Sequence, residues 1–392
     1  MTEQTADAQL SGTAVAVLAA AAGGAIANDY VLQPALAQIA MDFRAPLSLI
    51  TIVASAAMAG YLIGLALLVP LADRISPRAL IGTQLLALSA ALALAAAAPN
   101  PSVLIGCFVL VGALTTVAAQ SSAVVGKHSH PTRRGARMGV VSAGISAGIL
   151  LSRFAGGLLT DWIGWRGALL TFSALVAASA VAVIPLLPTA PPHRHASYLA
   201  SLRTLPALLR TFPKLRRATA AGMLWFFAFN LIWVGLALHL AQPPFGLSAA
   251  MIGLYSLAGI LGLIVTRLAG RLTDRFGNRA VVITGLAVAA VSALALTFTL
   301  GSPVFTAAAL AFFDAGCFAA QVANQAGIVA IDPSRSGTLN ATYLTLYYAA
   351  GAIGTATAGS VVTALGWPAL TLLAMAAAAI AACLAVPRAR IR

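Results

Sequence analysis

Four charged side chains stand inside long apolar runs: Asp29, Arg153, Arg267 and Asp314. On insertion scales a charge at mid-membrane costs roughly 2.5–3.5 kcal/mol, so each is expected to face a cavity or a partner. Asp314 lies roughly ten residues into its run, or ~15 Å along a helix, close to the middle of a bilayer. A carboxylate there can alternate between a proton and a substrate. Gln321, Asn324 and Gln325 follow on related helical faces, which makes them candidate substrate ligands with Asp314. The competing reading is a structural hydrogen bond to a neighbouring helix. Asp29 lies in the outer half of the first run, beside Asn28 and Tyr30, with Gln33 one turn on and Pro34 next. It could carry a proton, bind substrate with these neighbours, or cap a helix break before Pro34. Arg153 could bind a substrate carboxylate, pair with Asp29 or Asp314, or snorkel to the outer headgroups. Arg267, one turn before Gly270, is expected to snorkel.

Polar and aromatic residues could complete such a site. Phe226, Asn230 and Trp233 share a helical face with Phe229, and Trp225 lies beside them. They read either as an aromatic cavity wall, with cation–π attraction available, or as packing against lipid or helices. Tyr343, Tyr347 and Tyr348, with Asn340, could offer hydroxyl donors. If both carboxylates face the cavity, cationic, amine-bearing or polyol substrates suit it better than simple anions. His239, alone at the end of its run, reads as structural.

The elements that must position these residues are membrane helices. Charged residues make up 8% of the chain and apolar residues 60%, against about 25% charged in soluble domains. Twelve apolar spans can be read, at roughly 11–33, 48–71, 79–98, 103–125, 138–160, 168–188, 218–241, 249–270, 280–300, 304–328, 338–362 and 368–386. Each has the ~20 residues a ~30 Å hydrocarbon layer requires, and the first can continue towards Met41. The fold class expected is an all-α membrane protein: twelve transmembrane helices in two pseudo-symmetric six-helix bundles, residues 1–188 and 218–392, joined by a linker over 189–217. That linker, with Pro191, Pro192, His193, Arg194 and His195, is either regulatory or a tether at the lipid interface.

With the N-terminus inside, the net charge of +14 falls wholly on the inner loops and tails, while the outer loops and the spans each balance. This is the positive-inside pattern. It places both termini in the cytoplasm and removes the case for nucleic-acid binding. Residues 1–10 show no cleavable signal pattern. Cys107, Cys317 and Cys383 all lie in apolar runs, with neither a disulfide framework nor metal-ligand spacing. The sequence has no Gly-x-x-x-x-Gly-Lys-Ser/Thr phosphate loop and no His-Glu-x-x-His, so neither a primary pump nor an intramembrane enzyme is expected. No cofactor or metal is implied.

A charged turn recurs at half-length. Pro70-Leu71-Ala72-Asp73-Arg74-Ile75-Ser76-Pro77-Arg78 is matched by Gly270-Arg271-Leu272-Thr273-Asp274-Arg275-Phe276-Gly277-Asn278-Arg279, with the Asp-Arg pairs 201 positions apart. Gly164-Trp165 and Gly366-Trp367 repeat at 202, as do Gly157 and Gly359, and Asp29 maps near Asn230 at 201. Two parallel halves of this kind occur in secondary transporters.

On these turns, approached through Gly60-Tyr61-x-x-Gly64, the sequence resembles the major facilitator superfamily. Further stretches resemble a bacterial inner-membrane branch of that superfamily, mostly exporters without assigned substrates: Asn28-Asp29-Tyr30-Val31-Leu32-Gln33-Pro34, Leu151-Ser152-Arg153-Phe154-Ala155-Gly156-Gly157, Asp161-Trp162-Ile163-Gly164-Trp165-Arg166, Asp314-Ala315-Gly316 and Leu339-Asn340-Ala341-Thr342-Tyr343. Span 4 lacks the arginine of the drug/proton antiporters, and Gly144-x-x-x-Gly148 is not followed by proline. The resemblance implies alternating access in the inner membrane by a monomer whose partners are a small solute, protons and lipid. Spans 1, 4, 7 and 10 would line the cavity. Asp73, Arg74, Arg78, Asp274, Arg275 and Arg279 would latch the halves at the inner face, not bind substrate. Asp314 and Asp29 would couple protons, most simply for export. Proton-coupled uptake and a transporter-like sensor are the alternatives.

Overall fold

Helix formation follows from a backbone that has no other partner for its polar groups in hydrocarbon. A computed structural model describes residues 10–189, 205–332 and 335–386, and every regular element among the described residues is helical. Ten helical stretches there are long and apolar enough to cross a membrane. Two of them, Arg134–Val183 and Ser336–Ala385, are double-length and break at Gly164 (φ 75°) and Gly366 (φ 80°). Only glycine adopts that left-handed backbone without strain, so each break divides its stretch into two spans. The result is the expected twelve. The two glycines are 202 positions apart, in register with the repeat.

The remaining spans are Gly12–Phe43 (span 1), Leu47–Leu67 (2), Pro77–Ala96 (3), Pro101–Lys127 (4), Pro213–Leu240 (7), Asn278–Thr299 (9) and Pro303–Val329 (10). Span 8 comprises the helix Ala249–Leu254, a 3-10 segment Tyr255–Gly259 and the helix Ile260–Phe276. Spans 5 and 6 lie before and after Gly164, and spans 11 and 12 before and after Gly366.

Three boundaries differ from the sequence reading for local reasons. Span 1 does not stop at residue 33: Pro34 sits in a 3-10 turn and the helix Leu36–Phe43 carries the chain onward. Span 7 begins at Pro213, inside the stretch read as linker, because proline suits the first turn of a helix. Spans 5 and 6 need no loop, since Gly164 makes the turn. Residues 190–204 of the linker, with His193, Arg194 and His195, lie outside the described residues.

Without a hydrophobic force between helices in lipid, small residues set how closely spans approach. Gly23 of span 1 meets Gly144 and Gly148 of span 5 with no room for a Cβ on any of them. This contact brings Asp29 and Arg153 to neighbouring levels of the same bundle. Val181, Phe298, Val304 and Phe305 are exposed and form part of the lipid-facing surface.

The halves meet through spans 2 with 11 and 5 with 8. Ser55 Oγ donates to the Ala352 carbonyl (2.9 Å), and Thr51 Oγ1 to that of Ala356 (3.3 Å). Ser256 Oγ donates to the Leu150 carbonyl (3.0 Å). At the end opposite the Asp-Arg turns, the Asp161 carboxylate of span 5 accepts from the backbone N–H groups of Ala249 (3.1 Å) and Ala250 (2.9 Å), the first residues of span 8. That helix start is therefore capped from the other half of the molecule.

Candidate functional site

Three spans lose regular helix at the same depth. In span 1, the helix Gly12–Ile26 gives way to the 3-10 turns Ala27–Asp29 and Gln33–Ala35. Two causes are local: Pro34 lacks an N–H, and Asn28 Nδ2 bonds back to the Gly24 and Ala25 carbonyls (2.8 and 3.0 Å). Span 4 is interrupted at Thr115-Thr116, between the helices Pro101–Leu114 and Val117–Lys127. Span 8 has its 3-10 segment at Tyr255–Gly259. Broken helices at mid-depth are how transporters of this architecture build binding sites.

Asp29 belongs to the middle of a 32-residue span rather than its outer half, because span 1 continues to Phe43. It is buried, and the Thr115 hydroxyl lies 3.0 and 3.1 Å from its two oxygens. Thr115 also lies 2.8 Å from the Gly112 carbonyl. A hydroxyl has one hydrogen, so Thr115 cannot donate to both acceptors. Both groups are served when one Asp29 oxygen brings a hydrogen of its own and donates to Thr115, while Thr115 donates to Gly112.

Arg153 is 2% exposed, which removes the snorkelling reading. It forms no ion pair with Asp29 or Asp314 among the described residues. Its Nε donates to Gln33 Oε1 (2.7 Å), its Nη1 to the Ile149 carbonyl one turn back (3.4 Å), and Nη2 has no partner. The guanidinium carbon lies 4.6 Å from the Tyr30 ring centre and 4.9 Å from that of Trp233. Cation–π attraction to two rings compensates part of its lost hydration. Gln33, a candidate substrate ligand one turn on from Asp29, bonds Arg153 across the 3-10 turns of span 1.

Asp314 is fully buried and accepts at Oδ1 from Trp233 Nε1 (3.0 Å). Its Oδ2 has no partner and faces Gly259 in the break of span 8, where an added Cβ would come within 2.9 Å of it. Trp233 thus presents its ring to Arg153 and its N–H to Asp314. One side chain of the second half touches a cation of the first half and an anion of the second.

From Trp233 an aromatic column runs towards the Asp-Arg end. Phe229 lies 6.4 Å from Trp233 and 6.0 Å from Phe226, and Phe226 stacks on Tyr347 at 3.7 Å. Tyr343 follows 5.4 Å from Tyr347. Trp225, Phe226, Phe229, Asn230 and Trp233 are all buried, so the lipid-facing alternative does not hold. Asn230 Nδ2 bonds the Phe226 carbonyl four residues back (2.8 Å), as Asn28 bonds Gly24, 202 positions earlier. The repeat therefore pairs Asn28, rather than Asp29, with Asn230. His239 stacks on Trp367 (5.6 Å).

Several candidate ligands do not join this centre. Asn324 bonds the Ala218 carbonyl (2.8 Å) and lines a separate cavity with Lys214, Arg217 and Arg279. Gln325 bonds Asn340 (3.3 Å), and Gln321 is half-buried on the same helix. Ten residues separate Asp314 from Asn324, ~15 Å of helix, so helical spacing overstated their convergence. Of the latch residues, Arg74, Arg78, Asp274, Arg275 and Arg279 are exposed. The side chains of Asp73 and Arg267 lie outside the described residues.

Sequence reasoning missed Thr115, Gly259 and the capping role of Asp161. The Thr115-Thr116 pair interrupting an apolar run was a usable signal for the first. Asp161 offered none beyond its charge, since its partners are backbone groups of a distant span.

This geometry is that of a multi-pass membrane transporter, and the comparisons agree. The model of the Major Facilitator Superfamily matches residues 18–355 and 220–391. The chain is 30% identical over 359 residues to the Escherichia coli protein named "Uncharacterized transporter YgaY", covering 92% of this chain and 90% of that one. It is 32% identical to the "Probable transporter SCO4007" of Streptomyces coelicolor, over 87% and 79% of the two chains. Among solved structures it superposes on the nucleoside transporter NupG with a TM-score of 0.78 at 14% identity, covering 94% and 97% of the two chains. The human organic anion transporter MFSD10 gives 0.67 at 19%, covering 95% and 98%. These structural likenesses establish the fold. The chain belongs to the major facilitator superfamily.

Proposed function

We propose that the protein is a proton-coupled secondary transporter of the bacterial inner membrane that exports a small organic solute by alternating access, with both termini cytoplasmic. The observation that carries this reading is Asp29, buried at mid-depth with no cationic partner among the described residues, beside a threonine whose one hydrogen has two acceptors. A charge there is costly in hydrocarbon, and binding a proton removes it. Arg153, Gln33, Trp233 and Asp314 hold the solute nearby. Asp161 on span 8 and the span 2–11 contacts keep one end closed, while the latch residues at the Asp-Arg end stand exposed. By the positive-inside pattern that exposed end is the cytoplasmic one in this reading. Bacterial relatives named as transporters support the transport reading.

The test is reconstitution in proteoliposomes containing a pH-sensitive dye. Amines, amino acids, sugars, nucleosides and organic acids are added in turn. A transported solute should move protons in the opposite direction, and its accumulation should collapse when the pH gradient is dissipated. Transport indifferent to the gradient would remove the coupling, and proton movement in the same direction would replace export by uptake.

A further inference from the structure

We infer that the transported solute is amphoteric, with a carboxylate held by Arg153 and Gln33 and a protonated amine held by Asp314. This rests on the reading of the central cluster as the transport site. The motive is a set of buried groups left half-used. Arg153 has a free Nη2, Gln33 a free Nε2 and Asp314 a free Oδ2, each in a side chain at most 2% exposed. Because Gln33 Oε1 is bound to Arg153 Nε, the two free donors belong to adjacent groups on one side of the cluster. Asp314 Oδ2 is the free acceptor on the other. Trp233 stands between, its ring 4.9 Å from the guanidinium and its N–H 3.0 Å from Asp314.

Buried polar groups without partners are rare, and each deserves an explanation. Two opposite charges this close would ordinarily pair directly. Here the indole and the Gln33 amide take the bonds that a direct pair would use, and one hydrogen-bonding position on each charge has no partner although both are closed to solvent. A ligand with one anionic and one cationic group would fill both positions once the spans part to admit it. Net charge favours the same class. Arg153 and Asp314 cancel, and Asp29 with a proton adds nothing. A zwitterion enters this water-poor centre without leaving an uncompensated charge, whereas a simple anion or simple amine leaves one. The rings of Tyr30, Trp233 and Phe229 provide apolar walls for the carbon skeleton between the two groups.

The test uses the full-length protein and matched solutes. Thermal shift and counterflow are measured with the proteinogenic amino acids, with the amines left by removing their carboxylates, and with the acids left by removing their amines. Binding by the folded state raises its stability. Hits are expected among the amino acids and lost in both derivatives. Arg153→Gln and Asp314→Asn should each weaken the amino-acid hits by at least about 30-fold, on the scale of losing one partner of a buried charge pair. Arg153→Gln should leave relative preference for the amine, and Asp314→Asn for the acid. Such a crossed pattern is not expected from loss of structure alone. The inference is overturned if the hits are neutral or singly charged solutes, or if no amino acid binds. Counterflow of a sugar or a simple amine would overturn it while leaving the transporter reading intact. Recovery of wild-type transport in the doubly neutral variant would also overturn it, because the two charges would then be a structural pair.

Discussion

Asp29 and Asp314 are both carboxylates buried at mid-depth of a broken-helix centre, yet their surroundings differ. Asp29 meets a hydroxyl that can act as donor or acceptor. Asp314 meets an indole N–H, which can only donate, and shares that indole with Arg153. An ambivalent partner suits a group that gains and loses a proton. A fixed donor beside a cation suits a group that stays an acceptor and waits for a cationic ligand. The two acids shared one list of roles when only the sequence was considered. In the proposed function their partners divide the roles, with proton exchange assigned to Asp29 and solute binding to Asp314.

The sharpest way to break this division is Asp314→Asn. It should abolish both gradient-driven transport and gradient-free counterflow, by about 100-fold or more, in a protein that still folds as judged by size-exclusion and thermal unfolding. Wild-type counterflow in that variant would return Asp314 to a structural role. Asp29→Asn should behave differently. An amide keeps a hydrogen bond to Thr115 but cannot cycle a proton, so uphill transport should fall at least about tenfold while counterflow at equal pH persists. If both activities fall together, Asp29 is a solute ligand and the division fails. Trp233→Phe is a smaller change. It keeps a ring against Arg153 but removes the N–H to Asp314, a hydrogen bond to a charged group worth about 1.5–3 kcal/mol. Solute affinity in counterflow should drop roughly tenfold with pH coupling unchanged.

How much of this was legible in the sequence depended on the range over which a signal acts. Spans are local: a run of apolar residues and the offset of 201–202 suffice, so the twelve helices and the repeat were readable. The four intramembrane charges were readable for the same reason. Their partners were not. Helical spacing joined Gln33 to Asp29 and Asn324 to Asp314, but the first pair is separated by the 3-10 turns around Pro34 and the second by ~15 Å of helix. Arg153 could have bound a substrate carboxylate, paired with an acid or snorkelled. It lies instead between Tyr30 and Trp233, from spans on opposite halves, a contact that depends on how the two bundles are docked. Asp161 makes the same point, since its two acceptor bonds go to backbone N–H groups 88 and 89 residues away.

Asp161 also supplies the mildest prediction, a comparison of the two ends of the molecule. At the end that the positive-inside pattern makes the outer one, its carboxylate caps the first turn of span 8, where unpaired N–H groups and the helix dipole favour negative charge. At the inner end the resemblance assigns Asp73 a corresponding duty when the cytoplasmic side is closed. Capping bonds are worth about 0.5–2 kcal/mol, so Asp161→Asn should shift the balance by about fivefold towards outer opening, taking ~1 kcal/mol as typical. Asp73→Asn should shift it by a similar factor towards inner opening. Spin labels at positions 158 and 251, whose native residues Leu158 and Met251 are exposed on spans 5 and 8, would report the outer separation once the three native cysteines are replaced. The expected signature is a longer outer distance for Asp161→Asn and a shorter mean one for Asp73→Asn, with solute affinity within each state unchanged. A shift in the same direction for both variants would show that Asp161 and Asp73 do not act as opposed latches, and that closure of the outer end depends on the span 2–11 contacts at Thr51 and Ser55 instead.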